Sequence, residues 1–161
     1  LFAVHKTALQ LIGQSYCAAT GSRLTWGRVF FVYGPGQRPT SLIPSCYSSL
    51  KHGLAPKINN PLAINDFIHV ADVAAAIRKL VEADDASGIY NIGSGRPFAV
   101  WEVVNLVAAE MGLSPVYQDI PPSAGGIWAD ITRMSLVGWQ PELSLQAGIA
   151  QTLNMLAAGQ S

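Results

Sequence analysis

Apolar positions recur at helical intervals over the first twenty residues, at Phe2, Val4, Ala8, Leu9, Leu11, Ile12 and Tyr16, and Thr20-Gly21-Ser22 supplies a stop. This spacing predicts a helix over residues 1 to 20. The next segment, Leu24 to Val32, is nearly continuous in apolar, β-branched and aromatic residues, the pattern of a parallel strand covered on both faces. Tyr33-Gly-Pro-Gly-Gln-Arg-Pro then breaks the strand, and Leu42, Ile43, Tyr47 and Leu50 mark a second helix that Gly53 ends. Short extended pieces are expected at Pro56 to Asn60 and Leu62 to Val70, and Asp72 is expected to cap the strongly amphipathic helix that follows. Gly88 to Ile92 reads as a compact buried strand, and Val100, Val103, Val104, Leu106, Val107 and Met111 as the apolar stripe of a helix closed by Gly112. A strand at Val116 to Ile120, a loop at Pro121 to Gly126, a short helix at Ile131 to Val137 and a closing helix at Leu145 to Ala158 complete an α/β alternation. The loop after Val32 hangs from the carboxyl end of a strand, where ligands bind in open α/β sheets.

Composition narrows the function classes. Half of the 161 residues are apolar and 12% are charged, enough apolar content for one domain with a real core. Ten Lys and Arg balance ten Asp and Glu without a basic stripe, so neither nucleic acid nor an anionic membrane surface is expected as a partner. No apolar run reaches the ~18 positions of a spanning helix. Cys17 and Cys46 lie in apolar helical contexts with no CxxC, and read as buried free thiols of a cytoplasmic protein, with no disulfide and no metal site. The chain opens at Leu1 inside an apolar periodic segment, without a methionine, a signal-like region or a cap, which predicts that it is cut from something longer. It contains no GxGxxG after a strand and no P-loop.

Taken in order, Phe2-Ala-Val-His-Lys6, Arg28-Val-Phe-Phe-Val-Tyr-Gly-Pro-Gly36, Asn65-Asp-Phe-Ile-His-Val-Ala-Asp-Val73 and Tyr90-Asn-Ile-Gly-Ser-Gly95 resemble the extended short-chain dehydrogenase/reductases. The closest branch is the NAD-dependent epimerase/dehydratase family acting on nucleotide sugars, and Ala129-Asp-Ile and Leu136-Val-Gly-Trp-Gln-Pro141 match its tail. The resemblance implies the carboxyl-terminal half of such an enzyme, with the amino-terminal glycine-rich half missing from this chain. It implies part of a Rossmann-type parallel sheet, mainly residues 1–39 and 62–95, joined to a small substrate-binding lobe, mainly 40–61 and 96–161.

The family carries Tyr-x-x-x-Lys on its catalytic helix, where residues four apart share one face. The Tyr exchanges a proton with the substrate, and the Lys binds the nicotinamide ribose and lowers the Tyr pKa. Lys6 matches the second position; from composition alone it reads as a solvated helix lysine. Phe2 stands at the first, and Phe cannot transfer a proton. Tyr33, Gly34 and Pro35 match the loop beside the nicotinamide of NAD or NADP, with an ordinary tight turn as the plain alternative. Substrate-side positions fall at Phe31, where many relatives have Asn, at Leu42 and Lys57, at Asn65 in place of a diphosphate-clamping Arg, and at His69, which could instead fill a pocket wall, a satisfied hydrogen-bonded histidine being commoner than a catalytic one. A second such Arg is usual in the loop at Pro121 through Gly126, where Ser123 and Ala124 stand; Arg38, Lys57 and Arg96 are alternative cations, or plain surface charges. The strand at Leu24 to Val32 is too apolar for a solvated edge, so it is expected to bury itself against the missing half, a second copy or a rearranged helix. A homo-oligomer is favoured, and the resemblance implies that residues 1 to 20 imitate the helix that often contributes to a four-helix dimer interface in the family. The rival reading is a non-catalytic sugar-nucleotide binding or regulatory protein, which Phe2, Phe31 and Asn65 support.

Overall fold

A computed structural model describes residues 1–121 and 125–159, with the side chain of Phe2 left out of the description. Ser123 and Ala124 of the expected Pro121–Gly126 loop therefore lie outside the described residues. The order of elements is α1 (Phe2–Thr20), β1 (Thr25–Val29), β2 (Phe31–Tyr33), α2 (Leu42–Lys51), β3 (Ile64–His69), α3 (Val70–Glu82), β4 (Gly88–Ile92), β5 (Pro97–Ala99), α4 (Val100–Glu110), α5 (Thr132–Leu136) and α6 (Leu145–Ala158). The α/β alternation read from the pattern holds, with parallel pairs β1–β4 and β2–β3.

The segment expected as one strand from Leu24 to Val32 divides at Phe30, because its two halves serve different neighbours. β1 aligns Thr25 to Val29 with Gly88 to Ile92, whereas β2 aligns Phe31 to Tyr33 with Phe67 to His69. The Phe30 amide still donates to the Ile92 carbonyl at 3.0 Å, and the chain changes partner at the following residue. Nor is the strand covered on both faces: Val29, Phe31 and Val32 are exposed.

Three other expectations change for local reasons. Residues 56–60 join no ladder. Val116 to Ile120 is not a strand, because the Asn105 side chain takes both backbone groups of Tyr117, accepting from its N–H and donating to its carbonyl at 2.9 Å each. A short strand the pattern did not reveal, β5, runs antiparallel to β3 with Ile64 opposite Ala99. Cys46 is buried as expected, but Cys17 is only half-buried, since α1 has little of this chain against it.

Two cores result, and β3 divides them. Alternate side chains of a strand point to opposite faces, so Phe67 enters a cluster with Tyr33, Ile43, Tyr47, Val103, Val107, Leu145 and Ile149. Ile68 enters the other, with Val73, Leu80, Tyr90, Ile92, Met134 and Trp139. Arg133 straps α5 to β4: its guanidinium donates to the Ser87 and Ile89 carbonyls at 2.8 Å each and lies 4.4 Å from the Tyr90 ring centroid.

Candidate functional site

The site is built at the carboxyl ends of β2 and β3. β2 ends at Tyr33 in register with His69, and the chain then turns through Gly34, Pro35 and Gly36. Gly34 has φ +137°, and a Cβ there would meet Val70 Cγ1 and sit 3.1 Å from His69 Nε2, so only glycine lets the backbone lie so close to the end of β3. Gln37 closes the turn, its amide donating to the Gly34 carbonyl at 3.4 Å and its side-chain Nε2 to the Val32 carbonyl at 3.2 Å.

Against this turn lies a cavity of about 270 Å³ whose walls include Phe31, Tyr33, Gln37, Ser41, Leu42 and Phe67. Phe31 is half exposed, with its ring 5.9 Å from that of Phe67. The fold thus brings together Phe31, Tyr33 and Leu42 of the residues singled out from the sequence, with Gly34 and Pro35 in the adjoining turn. It does not bring the others into that wall. Lys6 is exposed on α1, Lys57 is exposed in the connection after α2, and Asn65 is half-buried on β3 opposite Phe98. Arg38 and Arg96 are exposed as well.

His69 is 3% exposed and lies behind the turn. It is also the cap of α3, a role the sequence pattern assigned to Asp72: the His69 Nδ1 accepts from the Ala71 amide at 3.3 Å. Burial lowers the imidazole pKa below its ordinary value, and the nearby Asp72 carboxylate opposes that shift. Asp72, within the first turn of α3, reaches across the fold and accepts from the Glu142 and Leu143 amides at 3.1 and 3.2 Å. Tyr33 presents its ring edge to His69 at 5.3 Å between centroids and donates its hydroxyl to the Leu145 carbonyl at 3.3 Å. Burial, with Asp72 adding to it, pushes that phenol well above the usual tyrosine range. Tyr33 and Asp72 together therefore tie the ends of β2 and β3 to residues 142–145, where α6 begins.

Sequence reasoning missed the central carboxylate of the Asn65-Asp66-Phe67 motif. Asp66 is fully buried and accepts four hydrogen bonds, from Ser94 N and Oγ at 2.6 Å each, Gly95 N at 2.9 Å and Ala129 N at 3.0 Å. A buried carboxylate persists only with such partners. The available signal was an Asp inside an apolar strand together with the amide-rich Gly93-Ser94-Gly95 that can supply its donors.

A model of the NAD dependent epimerase/dehydratase family matches residues 1–93. Among curated proteins, the chain is 25% identical to dTDP-L-rhamnose 4-epimerase of Burkholderia thailandensis, over 98% of this chain and 46% of that protein. It is 28% identical to dTDP-glucose 4,6-dehydratase of an Actinoplanes species, over 99% and 52%. The chain thus spans about half the length of these relatives. Among solved structures, UDP-glucose 4-epimerase of Thermus thermophilus in complex with NAD superposes with a TM-score of 0.79 at 26% identity, over 96% of this chain and 53% of that one. A tyrosine-to-phenylalanine mutant of UDP-glucuronic acid 4-epimerase from Bacillus cereus shares the fold with a TM-score of 0.85 at 20% identity, over 98% and 52%.

Proposed function

The chain belongs to the NAD dependent epimerase/dehydratase family, and from that premise we propose that it serves an NAD(P)-dependent reaction on a nucleotide sugar, epimerisation, dehydration or reduction. It would supply the catalytic-helix Lys6, the nicotinamide-side turn and the sugar-nucleotide lobe. The observation that carries this reading is the Tyr33-Gly34-Pro35 turn, set at the carboxyl end of a parallel strand against the cavity walled by Phe31, Leu42 and Phe67. In this reading residues 1–39 and 62–95 form the cofactor side and 40–61 and 96–161 the substrate lobe.

Division of labour follows from chemistry. The Gly34 and Pro35 backbone would line the nicotinamide side, while Tyr33, whose hydroxyl is already engaged by Leu145, holds the turn in place. The cofactor supplies hydride exchange when bound. Lys6 would hold the ribose by hydrogen bonding; its ammonium would favour ionisation of an acid one helical turn away, the position Phe2 occupies in this chain. Phe31 and Leu42 pack against the apolar face of the sugar nucleotide. Asn65 contributes a neutral hydrogen bond where a diphosphate meets an Arg in relatives, with Lys57 the cation on the substrate side. His69 supports the site from behind the turn. No glycine-rich phosphate loop occurs in the 161 residues, so the main dinucleotide site lies with another half, and this chain alone binds NAD(P) weakly. The apolar residues exposed on α1 and β2 are covered by that half or by a second copy.

Phe2 decides between the enzyme and a binding protein of the same descent. With the chain completed by the glycine-rich half of a relative, Phe2→Tyr raises turnover of a UDP- or dTDP-sugar by ~10²–10⁴-fold, the range of a positioned acid or base, and leaves NAD affinity little changed. Steady-state kinetics and calorimetry check this. Binding of both ligands with no gain in turnover would favour the non-catalytic reading.

A further inference from the structure

Two nitrogens of one buried ring are treated differently by this fold. His69 Nδ1 accepts from the Ala71 amide at 3.3 Å. A neutral imidazole has one acceptor and one donor, so this bond places the proton on Nε2. That Nε2–H is buried and has no hydrogen-bond partner among the described residues. It lies 3.1 Å from the point a Gly34 Cβ would occupy, directly under the one residue of the turn with φ +137°. Leaving a buried donor unpaired is unusual, because it loses its water without replacement.

We propose that His69 is a positioning residue for the turn at Tyr33 to Gly36: the imidazole, anchored through Nδ1 to α3, is the floor on which Gly34 rests, so the turn moves when the ring takes a second proton. The step is a simple protonation. A proton from solvent binds the Nδ1 lone pair, the Ala71 N–H loses its acceptor, and the ring then carries two N–H donors, of which Nε2–H has no acceptor among the described residues. The ring must reorient, and Gly34 has no slack above it. The titratable groups facing His69 are Tyr33 on β2 and Asp72 on α3, and the turn brings none. Tyr33 stays a neutral phenol. Asp72 attracts the imidazolium but is held by the Glu142 and Leu143 amides. Burial favours the neutral ring and places its titration below the ordinary histidine value. Only the link from this turn to a nicotinamide rests on the proposed function.

The test uses this chain without cofactor. Long-range proton–nitrogen NMR spectra recorded from pH 8 to pH 5 are expected to show His69 as a single Nε2–H tautomer at neutral pH, titrating below 6.5. The Gly34, Gly36 and Ala71 amide signals are expected to shift with that same midpoint. An Nδ1–H tautomer at neutral pH, or Gly34 and Gly36 signals that stay flat while His69 titrates, would overturn the proposal. In His69→Asn the side-chain oxygen keeps an acceptor for the Ala71 amide, Asn being a good cap, while the floor under Gly34 is removed. Its turn signals are expected to move from their wild-type positions and to lose their pH response below 6.5; retention of both would equally overturn it. Should that variant fail to fold, the wild-type titration alone decides. Because no cofactor enters, failure here removes the role of His69 and leaves the proposed function to the Phe2→Tyr experiment.

Discussion

Two helices of this chain carry apolar residues at helical spacing and meet opposite fates. In α4, Val103, Val104 and Val107 are fully buried against α2 and α6. In α1, Val4, Leu11, Ile12 and Tyr16 are between 57% and 66% exposed, and Phe31 on β2 is 53% exposed. Apolar periodicity therefore announces a buried face without saying what buries it. Isolated exposed apolar residues are ordinary, but as many as α1 carries are seldom left to water. The lobe around α4 and α6 is closed by its own chain. The α1 side is not closed by the described residues, and the proposal of a second copy or of another half is what that difference motivates.

The comparison sharpens first through paired truncations. Ile149→Ala, in the core at 0% exposure, is expected to cost about 2–5 kcal/mol by urea unfolding. Ile12→Ala on α1 is expected to cost less than about 0.5 kcal/mol at low protein concentration. If a second copy covers α1, that small cost grows with protein concentration, and the wild-type Tm rises with it. Equal costs for the two substitutions at every concentration would erase the distinction between the regions. Gly148→Ala probes the seam between α6 and the site turn, because its Cβ would fall on the Tyr33 hydroxyl. It is expected to destabilise by about 1–3 kcal/mol and to weaken the Tyr33–Leu145 bond, read as a lower unfolding midpoint and a changed near-ultraviolet tyrosine signal. The smallest effect is chemical. Burial pushes the Cys46 thiol up to about 11, whereas Cys17 on α1 is half-buried. One thiol per chain is therefore expected to react with a disulfide reagent at neutral pH, at Cys17, with Cys46 following only on unfolding; mapping the labelled peptide by mass spectrometry checks the order.

His69 adds a pH signature on the closed side. Its folded pKa lies below the ordinary histidine value, so below about pH 6.5 the unfolded chain binds the extra proton more readily than the fold. The contribution of this residue to stability is therefore intact above that value and declines as pH falls through it. The wild-type Tm is expected to be lower at pH 5.5 than at pH 7.5, with a smaller difference in His69→Asn.

What the residues determine by themselves is most of the succession of elements and the family to which the chain belongs. Helices α3, α4 and α6 and strand β4 are legible because their burial repeats at 3.6 or 2 positions, and local periodicity needs no knowledge of neighbours. The turn at Tyr33 to Gly36 is legible because two glycines and a proline after a strand leave little choice. Partner choice was not legible. Nothing in Leu24 to Val32 says that one segment divides its hydrogen bonds between β4 and β3, and β5 is too short and too reliant on β3 to carry a pattern of its own. The Asn105 side chain replaces a ladder at Tyr117 from twelve residues away. The roles of buried polar groups were decided the same way. Asp66 gathers donors 28, 29 and 63 residues distant, Asp72 gathers them 70 and 71 residues distant, and His69 displaces Asp72 as the cap of α3. A buried charge or ring is stable only where the whole chain supplies its partners, so its role belongs to the tertiary structure.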